Sequence, residues 1–464
     1  MSTGAFASFA PNKTPFPPLT AAKDGSNFTY ESLHDRVPHI LTDVINSFYT
    51  AIQDCDGPDK DAAVAEGKEI TSALSKLKHE MVTDKPFAPL AEDGVGDVEV
   101  WNHWLKTFFP EGSWYSTPFL TWEPYMYRRI AAVFKRSRHW NKFDFFVGKK
   151  EATFKASKVA VAKLCKRVDM LTRENLADIG NETKLHLAFV ELLQASLWGN
   201  QTDLSMFPDL NSEAIEEMQA RITSGENSSK IVSNDSEKIW GIVRQLKGGR
   251  IDIVLDNSGF ELLQDVLLAH WLVSVGYASQ VVFHPKRIPW YVSDVTNDDF
   301  HWLVNSMQNP QFAEGVDLAD EDKEALQTLG SQWAGYLKSG TWALKDELFW
   351  TGPYGYRYLP TEGKDVWESE LTKSDVVLFK GDLNYRKLIY DLEWPLATPF
   401  VEAIGPIATA PSAPAIVALR TSKCDTIVGV SDEKAASLFR AEKDWMYSGN
   451  YGVIQLSPGR WQSS

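Results

Sequence analysis

The sequence predicts an α/β protein with a mainly parallel sheet that is covered by helices on both faces, together with a helical N-terminal lobe. After about residue 240, short β-branched runs alternate with amphipathic segments, which is typical of parallel sheets with helical crossovers. Before residue 220, apolar residues recur at helical spacing and no convincing strand alternates with them. The length of 464 residues also exceeds what one simple core holds, so we expect two lobes or one large α/β domain with a helical addition.

The first half of the chain is predicted to be mostly helical over residues 26–220. Residues 1–25 are Pro-rich, and we expect them to be ordered only by packing onto other segments. From Tyr30 onward, apolar side chains follow the three-and-four spacing of a buried helical face. The aromatic residues that are dense around 101–145 are predicted to form core and lobe interface. Further helices are predicted over 62–77, 124–135, 143–168 and 174–198.

The second half is predicted to form the α/β domain, over residues 241–464. The stretch 222–238 is polar, Ser-rich and aperiodic, so a loop or linker is predicted over 221–240. The strands are predicted over Ile251–Leu255, Gln280–Phe283, Asp375–Phe379, Ala415–Leu419 and Asp425–Val430.

Composition excludes several classes of partner. The formal net charge of −15 argues against nucleic acid or an anionic membrane as the main partner, because phosphate binding needs a basic surface. A small anionic substrate in a local basic pocket remains compatible with that charge. The three cysteines lie far apart without C-x-x-C spacing, which indicates a reduced intracellular protein. No secretory signal or membrane-length apolar run is present, so we expect a soluble protein of the cytoplasm or the nucleus. No obligate protein partner is evident from the sequence.

Common catalytic motifs are missing from the chain. It contains neither a Walker phosphate loop nor a G-x-G-x-x-G after a strand, so no nucleotide cofactor is indicated. It also lacks a G-x-S-x-G nucleophile elbow and an H-E-x-x-H zinc helix.

The stretch IDIVLDNSGFE at 251–261 is the strongest candidate for a functional site. A buried strand ends there in Asp256 and Asn257, and an amphipathic helix follows at once. In open α/β sheets, ligands bind outside the carboxyl ends of strands. The simpler interpretation is that Asp256, Asn257 or Ser258 caps the helix.

Polar side chains follow three further predicted strands. Each group has a simpler interpretation as a cap, a turn or a surface charge, but together they bring acids, an amide and cations to one edge of a sheet. The groups are His284, Lys286 and Asp294; Lys380 to Arg386; and Arg420 to Lys423.

Asp256, Asn257 and Asp294 are hard oxygen donors. Such a set suits an octahedral divalent cation such as Mg²⁺ or Mn²⁺ better than a closed zinc site. Three protein ligands leave positions for water and substrate, and the metal can then polarise a phosphoryl oxygen. These residues therefore favour a metal-assisted phosphate-ester hydrolase.

The other strand ends supply groups that suit a phosphate ester. Lys423 and Arg386 carry positive charge that balances an anionic group. Backbone N–H groups of the Gly381–Arg386 turn add donors if that turn opens a helix. Asp382 is placed to orient a substrate hydroxyl or a water.

Four separated motifs resemble those of the damage-control phosphatases, a metal-dependent family long known only as a domain of unknown function. RIDIVLDNSGFE at 250–261 is similar to the Asp-Asn signature, PWYVSDVTNDDF at 289–300 to the stretch with the third metal ligand, and KGDLNYRKL at 380–388 to the substrate turn. RTSK at 420–423 matches the Arg-Thr-x-Lys motif of subfamily III. Segments of the first half are also similar to that subgroup: 34–45, 123–130 and 197–205.

The resemblance implies an α/β/α sandwich and assigns roles to individual residues. Asp256, Asn257 and Asp294 would bind the cation, which in the family is Mn²⁺, Co²⁺, Ni²⁺ or Mg²⁺, and the first two would also border the substrate. Glu261 would lie close to the site, although it is equally interpretable as an acid in the first turn of a helix. Small phosphometabolites such as fructose 1-phosphate are the implied substrates. The residues that would contact the substrate phosphate and sugar are Asp382, Leu383, Asn384, Tyr385, Arg386 and Lys423.

Two other functions are compatible with the sequence. The subgroup includes a protein first described as a methyltransferase, so an S-adenosylmethionine-dependent protein-glutamate carboxyl methyltransferase is the alternative, although no glycine-rich methyl-donor loop follows an early strand. A scaffold with a structural cation is the other, but such ions are usually enclosed by protein ligands. Within the phosphatase hypothesis, Asp256 either attacks phosphorus or supports attack by a metal-activated water. Ser258, where Asp-x-Asp phosphatases have a second acid, favours the water.

Overall fold

A computed structural model describes residues 9–21, 27–199, 229–314 and 318–463 of the chain. A mixed, mostly parallel sheet lies at its centre and is formed by β1 (Ile231–Asn234), β2 (Gly249–Val254), β3 (Ala278–His284), β4 (Trp342–Leu344), β5 (Val376–Lys380), β6 (Ala415–Thr421) and β7 (Gly452–Ser457). The seven strands follow the order β1-β7-β6-β5-β2-β3-β4. Neighbouring strands are parallel except β6 and β7, which are antiparallel. In the register at the centre, Ile253 of β2 lies beside Phe283 of β3 and Leu378 of β5.

Helices precede, connect and follow these strands. The N-terminal helices are α1 (Phe28–Glu31), α2 (Val37–Gln53), α3 (Lys60–Val82), α4 (Val98–Phe108), α5 (Phe119–Lys135), α6 (Val147–Ala156), α7 (Lys158–Ala177) and α8 (Glu182–Trp198), with a π-helical turn at Ser32–Arg36. Those of the second half are α9 (Ser236–Val243), α10 (Phe260–Ser274), α11 (Asn297–Gln308), α12 (Asp320–Ser339), α13 (Lys364–Ser369), α14 (Gly381–Ile389), α15 (Phe400–Ile404), α16 (Pro406–Thr409) and α17 (Asp432–Ala441). Short 3-10 helices cover Gln311–Ala313, Leu348–Thr351, Tyr356–Tyr358, Leu371–Lys373 and Gly459–Ser463.

The sheet is buried on both faces, which confirms the predicted three-layer arrangement. Successive residues of a strand point to opposite faces of the sheet. In β5, Val376 and Leu378 join the apolar cluster that contains α7, α8 and α10. Val377 and Phe379 join the cluster on the other face, which contains α14 and α15. Continuous apolar runs such as VVLF are therefore explained by burial on both sides.

A third apolar cluster holds the first helices together and confirms the predicted aromatic core. Helices α2 to α5 contribute most of it, including the buried Trp101, Trp104 and Trp122. Trp290 and Leu383, which follow strands of the sheet, belong to the same cluster. The helical region therefore packs against the loops at the carboxyl edge of the sheet. Among the described residues, no helix has both the length and the apolar composition needed to cross a bilayer.

The structure corrects the predicted strand at Asp425–Val430, which is irregular. Its backbone bonds to side chains and to loop carbonyls rather than to the backbone of a neighbouring strand. The Val428 N–H donates to the Tyr385 hydroxyl at 3.2 Å, and the Val428 carbonyl accepts from the Gln455 side chain at 2.6 Å. The other four predicted strands are confirmed, while β1, β4 and β7 were not predicted.

The linker predicted over 221–240 is wrong in its described part, because it contains β1 and the start of α9. Ile231 and Val232 are buried, and β1 pairs with β7 in parallel, so tertiary contact outweighs the polar composition around them. The predicted lobe boundary at residue 220 and most of the 197–205 motif lie outside the described residues.

Two predicted helices also differ from the structure. The segment 143–168 is divided, with α6 ending at Ala156 and α7 beginning at Lys158. The segment 174–198 is interrupted before α8, where the Asn181 side chain caps the new helix by accepting from the Lys184 N–H at 3.2 Å. Helices α7 and α8 pack on the sheet cluster rather than on the cluster of α2 to α5.

Candidate active site

A cavity of about 500 Å³ opens at the carboxyl edge of the sheet, a volume typical of small-molecule sites. Side chains from distant chain segments meet there, as the sequence predicts. The predicted residues that line it are Asp256, Asn257, Asp294, Asp382, Leu383, Arg386 and Lys423.

Backbone pairing brings the end of β2 against the loop that follows β3. The Ser258 N–H donates to the Ser293 carbonyl at 2.7 Å, and the Val295 N–H donates to the Asp256 carbonyl at 2.9 Å. Asn257 and Asp294 form an isolated antiparallel bridge between these hydrogen bonds. The pairing therefore fixes the Asp256, Asn257 and Asp294 side chains in one place.

The helix-cap interpretation of the Asp-Asn pair is wrong. Helix α10 begins after Gly259, which has φ of +74° and provides no side-chain cap. The Asn257 amide instead donates from Nδ2 to Asp256 Oδ2 and to Glu261 Oε2, each at 2.8 Å. Its Oδ1 accepts from the Ser293 hydroxyl at 2.5 Å. Asn257 thus connects two acids, and Glu261, although in the first turn of α10, is part of this cluster.

The three carboxylates of this cluster, on Asp256, Glu261 and Asp294, are buried together. Burial raises the pKa of Asp256 well above its usual range, and the nearby Glu261 and Asp294 raise it further. Burial also raises the pKa of Asp294 to about 6, although the Lys286 ammonium acts in the opposite direction. The groups around these carboxylates therefore stabilise only part of their negative charge. Such a site favours a bound cation.

Two lysines that sequence analysis placed at strand ends, but to which it assigned no role, partly balance this charge. Lys286 Nζ donates to the Leu255 carbonyl at 2.6 Å and lies 3.1 Å from Asp294 Oδ2, an ion pair without normal hydrogen-bond geometry. Lys380 Nζ lies 2.9 Å from Asp265 Oδ1 and 3.3 Å from Glu261 Oε1, and it donates to the Ser196 carbonyl. Their positions at or just beyond strand ends were the signal available in the sequence.

Because Gly381 has no side chain, it leaves room for the Asp256 carboxylate. It begins α14 with φ of +83°, and a Cβ on it would lie 1.8 Å from Asp256 Oδ2. A side chain there is excluded by both backbone strain and this contact. The first turn of α14, with its free N–H groups and positive dipole end, therefore lies directly against the carboxylate.

Asp382 is held between two segments of the site. Its Oδ1 accepts from Arg420 Nε at 2.7 Å and from the Lys423 backbone N–H at 3.3 Å. Burial alone raises the pKa of Asp382, but the Arg420 and Arg386 guanidiniums outweigh it and lower that pKa. Asp382 is therefore ionised, and the Lys423 ammonium is close enough to lower the pKa of Asp256.

The predicted substrate turn is only partly directed into the cavity. Asn384 is fully buried and donates to the Leu255 and Lys380 carbonyls at 3.1 and 2.7 Å. Tyr385 is also buried and donates to Gln455 Oε1 at 2.9 Å. Neither lines the cavity, in contrast to Asp382, Leu383 and Arg386.

Arg386 lines the cavity but already has partners. Its Nε and Nη2 donate to the two oxygens of Asp391 at 2.6 and 2.8 Å. The guanidinium also lies 3.5 Å from the centre of the Phe119 ring. Arg386 therefore presents an oriented and partly neutralised cation to the cavity.

The loop that carries Asp294 is strained. Tyr291 and Val292 have φ of +41° and +68°, a conformation that is rare for non-glycine residues and especially costly for a β-branched one. The Tyr291 ring packs on Tyr127 of α5 with centroids 4.7 Å apart. Such strain persists only where surrounding contacts impose it, and it clusters at functional sites.

Sequence analysis also missed the cavity wall that comes from the N-terminal helices. Phe28, Arg36, Ile40 and Phe119 line the cavity opposite the sheet edge. Arg36 and Ile40 lie in segment 34–45, which resembles the subgroup, but that resemblance assigned them no role, so only their packing against the loops reveals their position.

The donor set is unlike a closed metal centre. Within the described ranges, no group of three or more His, Cys, Asp or Glu side chains is placed to hold a metal ion. The predicted ligands combine two carboxylates with the Asn257 amide, an oxygen-only set.

Comparison with known proteins identifies a family over most of the chain. The model of the damage-control phosphatase ARMT1-like domain matches residues 32–438. Proteins named damage-control phosphatase ARMT1 are 36% identical in Mus musculus and 35% identical in Homo sapiens, and each alignment covers 95% of this chain and 98% of the relative. The Xenopus tropicalis protein of that name is 37% identical with the same coverage. A crystal structure of a DUF89 family protein from Pyrococcus horikoshii, 14% identical, covers 89% of this chain and 95% of that chain with a TM-score of 0.39.

Proposed function

The chain belongs to the damage-control phosphatase ARMT1-like family, and from this membership we propose that it is a divalent-metal-dependent phosphatase that hydrolyses small phosphorylated metabolites. Membership confirms the resemblance that the motifs indicated. Sugar phosphates such as fructose 1-phosphate are the proposed substrates.

One observation supports this function most directly. Asp256, Asn257 and Asp294 meet in one cavity with Lys423 and the first turn of α14. Acids for a cation and cationic or N–H groups for an anion are thus combined in one site. A phosphate monoester bound through a metal requires both sets.

The residues present fit a divalent cation. Asp256 and Asp294 are buried acids whose pKa values are raised by burial and by neighbouring carboxylates, Glu261 in both cases, and a bound cation relieves that repulsion. Asp256, Asn257 and Asp294 would hold Mn²⁺, Co²⁺, Ni²⁺ or Mg²⁺ through oxygen atoms. When bound, such an ion polarises a phosphoryl oxygen and lowers the pKa of a water.

The protein's own groups would position the ester. The Lys423 ammonium and the N–H groups at the start of α14 provide charge and donors for phosphate oxygens. Asp382 is ionised and held by Arg420, so it accepts a hydrogen bond from a substrate hydroxyl or a water. Arg386, fixed by Asp391, adds positive potential without moving.

We propose that water, rather than Asp256, attacks phosphorus. Ser258 occupies the position two residues after Asp256, so the second acid of an Asp-x-Asp phosphatase is absent there. Asp256 is enclosed by Gly381 and the Asn257 amide, which holds its carboxylate for ligation. Detection of a phosphorylated Asp256 after substrate addition would contradict this mechanism.

Methyl transfer is not favoured as the alternative. The relatives carry phosphatase names, and no glycine-rich loop follows an early strand in the sequence. No feature of the cavity favours a methyl donor over a phosphate ester.

The decisive experiment is a phosphometabolite screen with each of the four cations. We expect turnover of fructose 1-phosphate or a related sugar phosphate, and we expect chelation to abolish it. Asp256→Ala should be inactive, whereas Asp298→Ala, an exposed residue of the following helix that does not line the cavity, should retain activity. Full activity in Asp256→Ala would show that the assigned site is wrong.

A further inference from the structure

Arg36 is a cavity residue that the proposed chemistry does not use. Resting on the proposed function, we infer that Arg36 is a specificity-determining residue, which donates hydrogen bonds to the uncharged, hydroxylated part of the substrate away from its phosphate. Three features of the Arg36 guanidinium support this role: its position, the donors that are already hydrogen-bonded and the acid that balances its charge.

The position of Arg36 follows from a local irregularity of the helix. Residues Ser32–Arg36 form a π-helical turn directly before α2. Such turns are rare and are frequent at functional sites. The Arg36 side chain lines the cavity and is 43% exposed, so it is accessible to a ligand.

One amino group of the Arg36 guanidinium is fixed by the buried Glu123 carboxylate. Arg36 Nη2 donates to both oxygens of Glu123, at 2.7 and 2.8 Å, and the Glu123 side chain is 0% exposed. Nε and Nη1 of Arg36 form no hydrogen bond of normal geometry with the described residues, although the Tyr127 hydroxyl lies close enough to the guanidinium for Arg36 to offset part of the rise that burial causes in the pKa of Tyr127. The Glu123 carboxylate therefore orients the guanidinium and leaves its other donors available.

The charge of this pair favours an uncharged acceptor. Because Glu123 compensates Arg36, the wall offers directed N–H donors but little net positive charge. Lys150 and Arg386, two other cations of the cavity, are likewise paired with buried or half-buried acids. The Arg36–Glu123 pair itself offers a second phosphate no free counter-charge, although the exposed Lys149 also lines the cavity, whereas hydroxyl or carbonyl oxygens need only donors.

A neighbouring group adds unused hydrogen-bonding capacity to the same wall. Tyr291 lines the cavity, and its buried hydroxyl has no hydrogen-bond partner within the described ranges. Its ring packs on Tyr127, which lies beside Arg36. The wall built from the helical region therefore suits a polyhydroxylated body, while the sheet edge suits the phosphate.

The test compares two substrates in matched variants of the full-length protein. Arg36→Met removes the donors, and Arg36→Met/Glu123→Gln removes them without leaving Glu123 as an unpaired buried acid. Arg36→Lys keeps the ion pair but loses the planar donor group. The control is Arg129→Met/Glu80→Gln, an ion pair of 3.0 Å on α5 and α3 that does not line the cavity. The substrates are fructose 1-phosphate and 2-hydroxyethyl phosphate, a short ester that lacks the polyhydroxylated body proposed to contact Arg36.

For the sugar phosphate, each Arg36 variant should raise KM about tenfold with kcat within about twofold, because a hydrogen bond from a charged donor is lost. KM for the short ester should stay at the wild-type value, as should both constants in the control pair. An unchanged KM for the sugar phosphate, or an equal rise for both esters, would overturn the inference. If Arg36→Met or the double variant does not fold, Arg36→Lys decides. Wild-type protein inactive on every ester would instead refute the proposed function.

Discussion

Two acids on one strand of the sheet show how neighbours, rather than burial, determine what a carboxylate does. Asp252 lies within β2 and is 0% exposed, and Asp256 lies just beyond the end of β2 and is 5% exposed. Burial by itself raises the pKa of both. Arg250 and His284 nevertheless lower the pKa of Asp252, while Glu261 and Asp294 raise that of Asp256 further.

The hydrogen bonds of the two acids differ in the same way. Asp252 accepts from Arg250 Nε at 2.8 Å, from Ser374 Oγ at 2.5 Å and, through its other oxygen, from His284 Nε2 at 2.9 Å. Asp256 Oδ2 accepts from the Asn257 amide alone among the side chains of the described residues. An acid whose two oxygens both accept hydrogen bonds from cationic or hydroxyl groups stabilises the fold. An acid that is surrounded by other acids is repelled by them, and a bound cation relieves that repulsion.

The largest expected effect comes from neutralising Asp256. Asp256→Asn should lower phosphatase activity by on the order of 10³-fold, because it removes a charge that the site directs at the reacting group. Its free energy of unfolding without metal should be equal to or above that of the wild type, since a repelling carboxylate is removed. Steady-state kinetics and urea unfolding measure the two quantities. If Asp256→Asn were active but less stable than the wild type, Asp256 would be the acid that stabilises the fold and not the acid of the site.

The matched change at Asp252 should give the opposite result. Asp252→Asn should lower the free energy of unfolding by about 3 kcal/mol, because it breaks a buried ion pair with Arg250, which keeps only Glu370 as an acidic partner. Turnover per folded molecule should stay close to the wild-type value. Urea unfolding followed by fluorescence, with activity normalised to the folded fraction, checks both. A selective loss of turnover would place Asp252 in the site.

Gly381→Ala tests the close contact between Gly381 and the Asp256 carboxylate. A Cβ would lie 1.8 Å from Asp256 Oδ2 and should displace this carboxylate, reducing activity about 10²-fold. Gly340→Ala is the matched control, because Gly340 has a similar φ of +80° but no atom within 4 Å of a Cβ. The control should show only backbone strain of about 1 kcal/mol and full activity. Equal activity losses in both variants would indicate strain rather than displacement.

The smallest expected effect is a difference in pH dependence. The folded-state pKa of Asp252 is lowered, so its contribution to stability is present above the unfolded value of about 3.9 and is lost as pH falls below it. The folded-state pKa of Asp294 is raised to about 6, so the metal-free protein should lose about 1–2 kcal/mol as pH rises from about 4 to about 6.

Urea unfolding between pH 4 and 7, with a chelator present, measures how the free energy of unfolding changes with pH. Asp294→Asn should reduce this pH dependence without abolishing it, because the pKa values of Asp256 and Asp265 are raised as well, whereas the exposed Asp298→Asn should leave it unchanged. Saturating divalent cation should also flatten it, because the bound ion keeps the acids ionised. A pH dependence that is the same in Asp294→Asn as in the wild type would assign the titration to other groups.

The sequence alone determined the fold class, most strands and the segments that supply the site. Side-chain period and chain order carry that information, since apolar runs such as Ile251 to Leu255 mark strands that are buried on both faces. The same order places Asp256, Asn257, Asp294 and Lys423 after strands, where α/β sheets bind ligands. Motif resemblance then identified the family that the comparisons confirmed.

Only the tertiary structure decided which side chains of those segments face the cavity. Each residue of a helix turns by about 100°, so in α14 Asp382 and Arg386 face the cavity while Asn384 and Tyr385 are buried behind it. The counter-charges Lys286 and Lys380, the strained Tyr291 and the wall that contains Arg36 likewise depend on contacts between distant segments. Such contacts are set by packing, which local sequence patterns do not encode.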